Sequence, residues 1–134
     1  MKNISIKIVV LLTGLIIGVN AVGASDLPDC PSPAYVDRHD CFGALTDSDG
    51  VKYVGGWKDG KYNGQGDLTY VDNVKYVGEF RDGKSNGKGA TTYVTGSNYV
   101  GYFRDGERIG RGIYTAVLGD MYIMVNGKIV RELD

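Results

Sequence analysis

Tyr53, Tyr76, Tyr99 and Tyr122 stand 23 residues apart, and around the first three the neighbouring residues repeat as well. Tyr53-Val54-Gly55-Gly56-Trp57-Lys58-Asp59-Gly60 is followed by Tyr76-Val77-Gly78-Glu79-Phe80-Arg81-Asp82-Gly83, then by Tyr99-Val100-Gly101-Tyr102-Phe103-Arg104-Asp105-Gly106. A fixed short period restricts the chain to a repeat architecture, in which each unit buries its apolar face only against its neighbours. Chains of this kind build extended surfaces. The expected functional element is therefore a binding face, not a catalytic cleft.

Each unit reads as two short strands and two turns. Tyr53, Gly55 and Trp57 alternate with Val54 and Gly56, the period of a strand. Asp59-Gly60, Asp82-Gly83 and Asp105-Gly106 are turn signals, because glycine accepts positive φ and aspartate hydrogen-bonds its own backbone. Gly64-x-Gly66 opens the return strand, which runs through Leu68, Thr69 and Tyr70, and Asp72-Asn73 turns the chain into the next unit. Short strands with regular turn signals predict an all-β antiparallel meander.

The string Tyr-x-Gly-x-(Trp/Phe)-x-x-Gly-x-x-x-Gly-x-Gly, carried without a gap over residues 53–112, resembles the MORN repeat (membrane occupation and recognition nexus). The resemblance implies an elongated single-layer sheet of repeated two-stranded hairpins. Cys41-Phe42-Gly43, ahead of the first full unit, also looks like the opening of exported bacterial members of that family. It lies 23 residues before Gly64-Gln65-Gly66, so residues 41–52 read as the back half of a truncated repeat. The expected layout is a signal peptide at 1–24 and a disulfide-stapled segment at 25–40. Repeats follow at 41–121 (41–52 partial, then 53–75, 76–98 and 99–121), with a capping hairpin at 122–134. In that hairpin Met124 replaces the expected glycine, Asn126 replaces the aromatic, and Asn126-Gly127 is a strong two-residue turn signal. It is expected to cover the last open edge, as terminal repeats do.

At the N-terminus, Lys2 and Lys7 precede an apolar run from Ile8 to Val19. Val22-Gly23-Ala24 then resembles a signal-peptidase site, which places cleavage after Ala24 and the mature protein in the periplasm or outside the cell. The alternative is a retained N-terminal anchor, since the run approaches the length that spans a bilayer. Residues 1–24 hold two lysines and no acid, so their removal changes 15 basic and 16 acidic side chains to 13 and 16, a net charge of −3. That balance argues against nucleic-acid binding, which needs an excess of Lys and Arg. The only two cysteines, Cys30 and Cys41, favour a disulfide in an exported chain. With His39 as the sole histidine they fall short of a closed zinc shell.

Residues at equal positions in successive units form columns. Tyr53, Tyr76, Tyr99 and Tyr122 make one, and Trp57, Phe80 and Phe103 another. Both read first as core, because a single-layer sheet must find its apolar burial somewhere. Gly64, Gly87 and Gly110, with Gly66, Gly89 and Gly112, are expected to let those rings lie over bare backbone. Gly55, Gly78 and Gly101 fall within the first strand of each unit, and Gly60, Gly83 and Gly106 in its turn. Candidate contact residues are Lys58, Arg81 and Arg104 in one basic column and Lys88 and Arg111 in another, with Tyr102 in a slot otherwise held by Gly56 and Glu79. The basic columns fit an anionic lipid surface or an acidic partner. They also fit an ordinary solvated face, and Asp59, Asp82 and Asp105 lower the field beside them.

No catalytic constellation, metal site or cofactor site is legible. Gly83-Lys84-Ser85-Asn86-Gly87-Lys88-Gly89 is one residue short of a phosphate loop and ends in glycine where Ser or Thr should bind magnesium. Asp47-Ser48-Asp49-Gly50 resembles a calcium loop, but Lys58 stands where the bidentate glutamate belongs. The expected function is an exported, non-enzymatic scaffold that offers an elongated β surface to a protein partner. Association with anionic phospholipid is the alternative, and an enzyme or accessory subunit ranks last.

Overall fold

The computed structural model describes residues 27–31 and 38–133. The segment read as a signal peptide lies outside them, as do residues 25, 26 and 32–37 of the stapled segment. Nine strands follow: β1 (Cys41–Thr46), β2 (Lys52–Lys58), β3 (Lys61–Thr69), β4 (Lys75–Arg81), β5 (Lys84–Thr92), β6 (Asn98–Arg104), β7 (Glu107–Thr115), β8 (Met121–Val125) and β9 (Lys128–Leu133). They form one open antiparallel sheet in chain order. Among the described residues no helix is long and apolar enough to cross a membrane.

Two kinds of turn alternate along it. At one end of the strands, Asp59-Gly60, Asp82-Gly83, Asp105-Gly106 and Asn126-Gly127 have both residues at positive φ. This is the geometry whose twist matches the flanking strands. At the other end, loops are closed by backbone bonds such as Tyr70 N–H to Val74 O at 2.9 Å and Tyr93 N–H to Ser97 O at 2.9 Å. The return strand is longer at its start than the sequence suggests, since β3 begins at Lys61 and not at Gly64. It stops at Thr69, which leaves Tyr70 in the loop.

Strand alternation puts the aromatic columns on one face. Tyr53 and Tyr99 are fully buried, and Tyr76, Trp57, Phe80 and Phe103 nearly so. Their burial rests on a row of glycines that pair across the sheet: Gly43 with Gly55, Gly55 with Gly66, Gly66 with Gly78, Gly78 with Gly89, and Gly89 with Gly101. A Cβ on Gly66 would stand 2.5 Å from the Tyr53 ring, and one on Gly89 or Gly112 would meet the hydroxyl of Tyr76 or Tyr99 at 2.3 Å. Gly55 and Gly101 are held just as closely by Tyr53 and Tyr99, and a Cβ on Gly78 would meet Lys88 O at 2.5 Å and the Tyr76 hydroxyl at 2.8 Å.

Gly64, Gly87 and Gly110 do not serve that purpose. Nothing lies within 4 Å of a Cβ built on Gly64 or Gly110, and the nearest atoms to one on Gly87 belong to the Glu79 side chain, not to a ring. They have φ of 77°, 102° and 59°, and they sit where the register of β3, β5 and β7 slips against the preceding strand. These are bulge glycines, required by the left-handed backbone conformation and not by ring packing.

The two ends depart from the repeat. Cys30 stands one repeat length before Tyr53. It occupies the tyrosine's place over Gly43, where an added Cβ would be 2.9 Å from that of Cys30. Cys30 is bonded to Cys41, with Cα atoms 4.8 Å apart. Its segment runs parallel to β1 through an Asp29–Phe42 bridge. At the other end Met124 takes the glycine's place opposite Gly112 and is buried. The last hairpin extends the sheet without closing it: β8 pairs with β7 and β9 pairs with β8, and the far side of β9 has no neighbour among the described residues.

Candidate functional site

The aromatic face is a herringbone. Tyr53 meets Trp57 edge-on at 5.2 Å, Tyr76 meets Phe80 at 5.1 Å, and Tyr99 meets Phe103 at 5.6 Å. Each of the first two tyrosines also meets the phenylalanine of the following unit, Tyr53 with Phe80 at 5.2 Å and Tyr76 with Phe103 at 4.9 Å. Edge-to-face packing of this kind adds about 0.5–1.5 kcal/mol per pair beyond the area buried. Tyr53 and Tyr76 donate their hydroxyls to the carbonyls of Gly56 and Glu79. Burial pushes both phenols well above the ordinary tyrosine range. Tyr53, Tyr76 and Tyr99 are therefore structural, as are Trp57, Phe80 and Phe103, whereas Tyr122 at the end of its column is only half-buried.

Above this floor the units differ. Tyr62, Ser85 and Arg108 hold one and the same slot of the repeat, pairing across the sheet with Trp57, Phe80 and Phe103. The Tyr62 ring lies flat on Tyr53, with centroids 3.8 Å apart and planes 13° from parallel. The Arg108 guanidinium lies 4.6 Å from the Tyr99 centroid and 5.6 Å from that of Tyr93. Burial lowers the pKa of that guanidinium. Over the second and third units, from Ser85 past Arg108, the face opens into a groove of about 500 Å³. Tyr70, Tyr76, Tyr93, Phe103 and Arg108 line it, and it runs on to the Asn126-Gly127 turn. Sequence reasoning placed Tyr70 only in the return strand, and this slot, whose three occupants share no chemistry, carries no periodic signal.

The candidate contact residues lie on the opposite face. Lys58, Arg81 and Arg104 are exposed at the strand ends beside the Asp-Gly turns, and Lys88 and Arg111 are exposed further along. Lys88 pairs with Tyr102, its ammonium 5.9 Å from the ring centroid, and Tyr102 is 48% exposed. Acids interrupt this face: Glu107 is paired with Arg104, and the Glu79 carboxylate accepts from Lys88 N–H at 3.0 Å.

Near the first unit, Arg38 is buried over Trp57 at 4.4 Å and donates to the Ala44 carbonyl. His39 sits between two carboxylates, Nδ1 2.7 Å from Asp59 and Nε2 3.3 Å from Asp40. These contacts fasten the end of the loop that the disulfide closes to the first Asp-Gly turn. Neither was foreseen, because residues 38 and 39 lie outside the period. Among the described residues no three His, Cys, Asp or Glu side chains gather into a metal-binding group.

The model of the MORN repeat matches residues 53–75, 76–98 and 99–120. That is half of the chain. The chain belongs to the MORN-repeat family. The three matched units are the ones whose tyrosines lie over paired glycines, and the truncated unit and last hairpin fall outside the match. None of the curated proteins compared with this MORN-repeat chain matches it. Repeats of this family are binding and scaffold modules, consistent with a non-enzymatic role.

Proposed function

We propose that this MORN-repeat chain is an exported bacterial scaffold that binds a protein partner along its aromatic face. The observation that carries the reading is the groove over Ser85, where Tyr70 and Tyr93 stand beside a guanidinium on an otherwise packed sheet. Aromatic side chains and arginine are the groups that dominate protein interfaces. Tyr70 is 45% exposed. Export is supported by the Lys2/Lys7 and apolar opening and by the Cys30–Cys41 bond, since disulfides persist in oxidising compartments. Cleavage after Ala24 leaves Ser25 as the first residue. N-terminal sequencing of protein from its native compartment checks this, and an intact Met1 on membrane-bound material favours the anchor. Affinity capture from envelope extract tests the binding reading. A specific partner should be retained by the wild type and lost with Tyr70→Ala plus Tyr93→Ala at unchanged circular dichroism.

A second reading has an observation of its own. Lys58, Arg81, Lys88, Arg104 and Arg111 share the other face, the arrangement that anionic phospholipid attracts. The acids among them and the mature net charge of −3 set the expectation of weak, salt-sensitive vesicle binding. Tight binding to anionic vesicles that is lost when those five charges are removed would put this reading first.

A further inference from the structure

Two guanidiniums lie on the rings of the aromatic face, and their surroundings differ. Arg38, over Trp57, is buried and donates from Nη1 and Nη2 to the Ala44 carbonyl, 3.1 Å from each. Arg108, over Tyr99 and Tyr93, is half-buried, yet no carbonyl or carboxylate among the described residues accepts from it. The ion pairs among those residues belong to His39. Burial lowers the pKa of Arg108, and the group that opposes this shift is the Tyr114 phenol, not a carboxylate. A guanidinium that gives up hydration without gaining an acceptor is costly to hold. The two tyrosine rings nevertheless keep it in place, with its donors open to the groove it lines.

We infer that Arg108 receives a carboxylate of a partner polypeptide, an acidic side chain or the C-terminus, in the groove that it lines with Ser85, Thr91 and Tyr93. A planar guanidinium matches a carboxylate through two parallel N–H···O bonds, and such charge-assisted pairs are stronger than neutral ones. The charge of the groove points the same way. Its other charged lining residue, Glu107, precedes Arg108 in β7 and pairs with Arg104, so strand alternation sends its side chain to the opposite face. One cation then suits one singly charged ligand. A phosphate, which carries nearly two charges, would call for a second cation, and the lining holds none. The inference deepens the reading of this face as a protein-binding surface and rests on it.

The test varies the charge of a small probe. N-acetylglycine, N-acetylglycinamide and inorganic phosphate are each titrated, at constant ionic strength, into the folded, disulfide-bonded protein. Backbone amide and Arg108 Nε–H chemical shifts follow the binding. N-acetylglycine should give saturable shifts at Arg108, Ser85 and Thr91, and the neutral amide none. Arg108→Lys keeps the charge but loses the planar fork, and it should weaken the titration roughly tenfold. Arg108→Gln should abolish it. Arg131→Gln, in β9, should leave it unchanged, and an equal loss there would mean a diffuse charge effect and overturn the site. Where the Arg108 variants fold poorly, the wild type still decides. Phosphate that shifts Arg108 as strongly as N-acetylglycine, or N-acetylglycine shifts that miss Arg108, overturn the inference. A peptide array separates it from the broader reading. Peptides that lose binding to Arg108→Gln, and also when Glu becomes Gln, Asp becomes Asn or the C-terminus is amidated, support both, and the replacement that matters names the source. Peptides that bind the wild type and Arg108→Gln alike overturn the site and leave the scaffold reading standing. If no peptide binds while N-acetylglycine still shifts Arg108, the carboxylate site stands and the protein-binding reading fails.

Discussion

At one end of the sheet, β1 is flanked by a short parallel segment tied by Cys30 N–H to the Phe42 carbonyl and Phe42 N–H to the Pro28 carbonyl, each at 2.8 Å. The disulfide replaces a tyrosine over Gly43, Arg38 lies on Trp57, and Trp57 donates its indole N–H to the Gly43 carbonyl at 3.1 Å. At the other end there is no such lid among the described residues. Met124 fills the space a tyrosine would have used, Asn126 accepts from Gly110 N–H at 2.7 Å, and β9 leaves Ile129 and Val130 exposed. The first end is closed by covalent and aromatic contacts that cross from outside the repeat. The second is closed by exchanging glycine and ring for one flexible side chain, and its strand edge stays available.

Substitutions at the two ends should therefore differ in size and in reach. Trp57→Ala removes the ring that Tyr53, Tyr62 and Arg38 all contact, and about 3–5 kcal/mol should be lost in denaturant unfolding. A loss below about 1 kcal/mol would place that ring on the surface and erase the contrast. Replacing both Cys30 and Cys41 by serine should cost about 3 kcal/mol from the short closed loop. Hydrogen exchange should quicken in β1 and leave β5–β8 protected; uniform quickening would mean that the lid supports the whole sheet. Met124→Ala should cost about 2 kcal/mol, with exchange quickening confined to β8 and β9.

Alkaline titration sharpens the comparison further. Tyr53 is held protonated mainly by burial, whereas Tyr122 is raised first by the Glu132 carboxylate across the strand pair. The unfolded phenol releases its proton near pH 10, before the buried one. Stability contributed by Tyr53 and Tyr76 is thus fully present below pH 10 and falls above it, by about 1.4 kcal/mol per pH unit for each group. Added salt should bring the Tyr122 titration down and leave Tyr53 where it is, since salt screens the exposed charge pair and not the burial. The smallest effect belongs to the open edge. Ile129→Thr with Val130→Thr should change stability by no more than about 0.5 kcal/mol, measured by thermal or denaturant unfolding.

What the sequence made legible was whatever the period repeats. The tyrosines recur four times, and the Trp57/Phe80/Phe103 column and the Asp-Gly turns three times each, so geometry and residue type confirm one another. Glycine was legible as a position but not as a reason: Gly66 is required by a ring at its surface and Gly64 by its φ, and both print the same letter. The site was hidden for the opposite cause. Tyr62, Ser85 and Arg108 share a slot without sharing chemistry, so nothing in the period marks the groove beside Ser85 and Arg108. Arg38 and His39 belong to no period at all, and their partners Trp57 and Asp59, distant in the chain, are brought near by the register of β1 on β2.

The strand order, which follows the chain from β1 to β9 without a crossover, also sets how the molecule responds to load. Tension between the two ends acts on one ladder of hydrogen bonds at a time, as on a zipper, because no strand is locked behind a later one. Each full repeat that gives way releases one period of chain, roughly 80 Å when extended. The stretch between Cys30 and Cys41 releases almost none, because its bond bears the force. The sheet is in this sense a graduated tether, with equal increments and one stop.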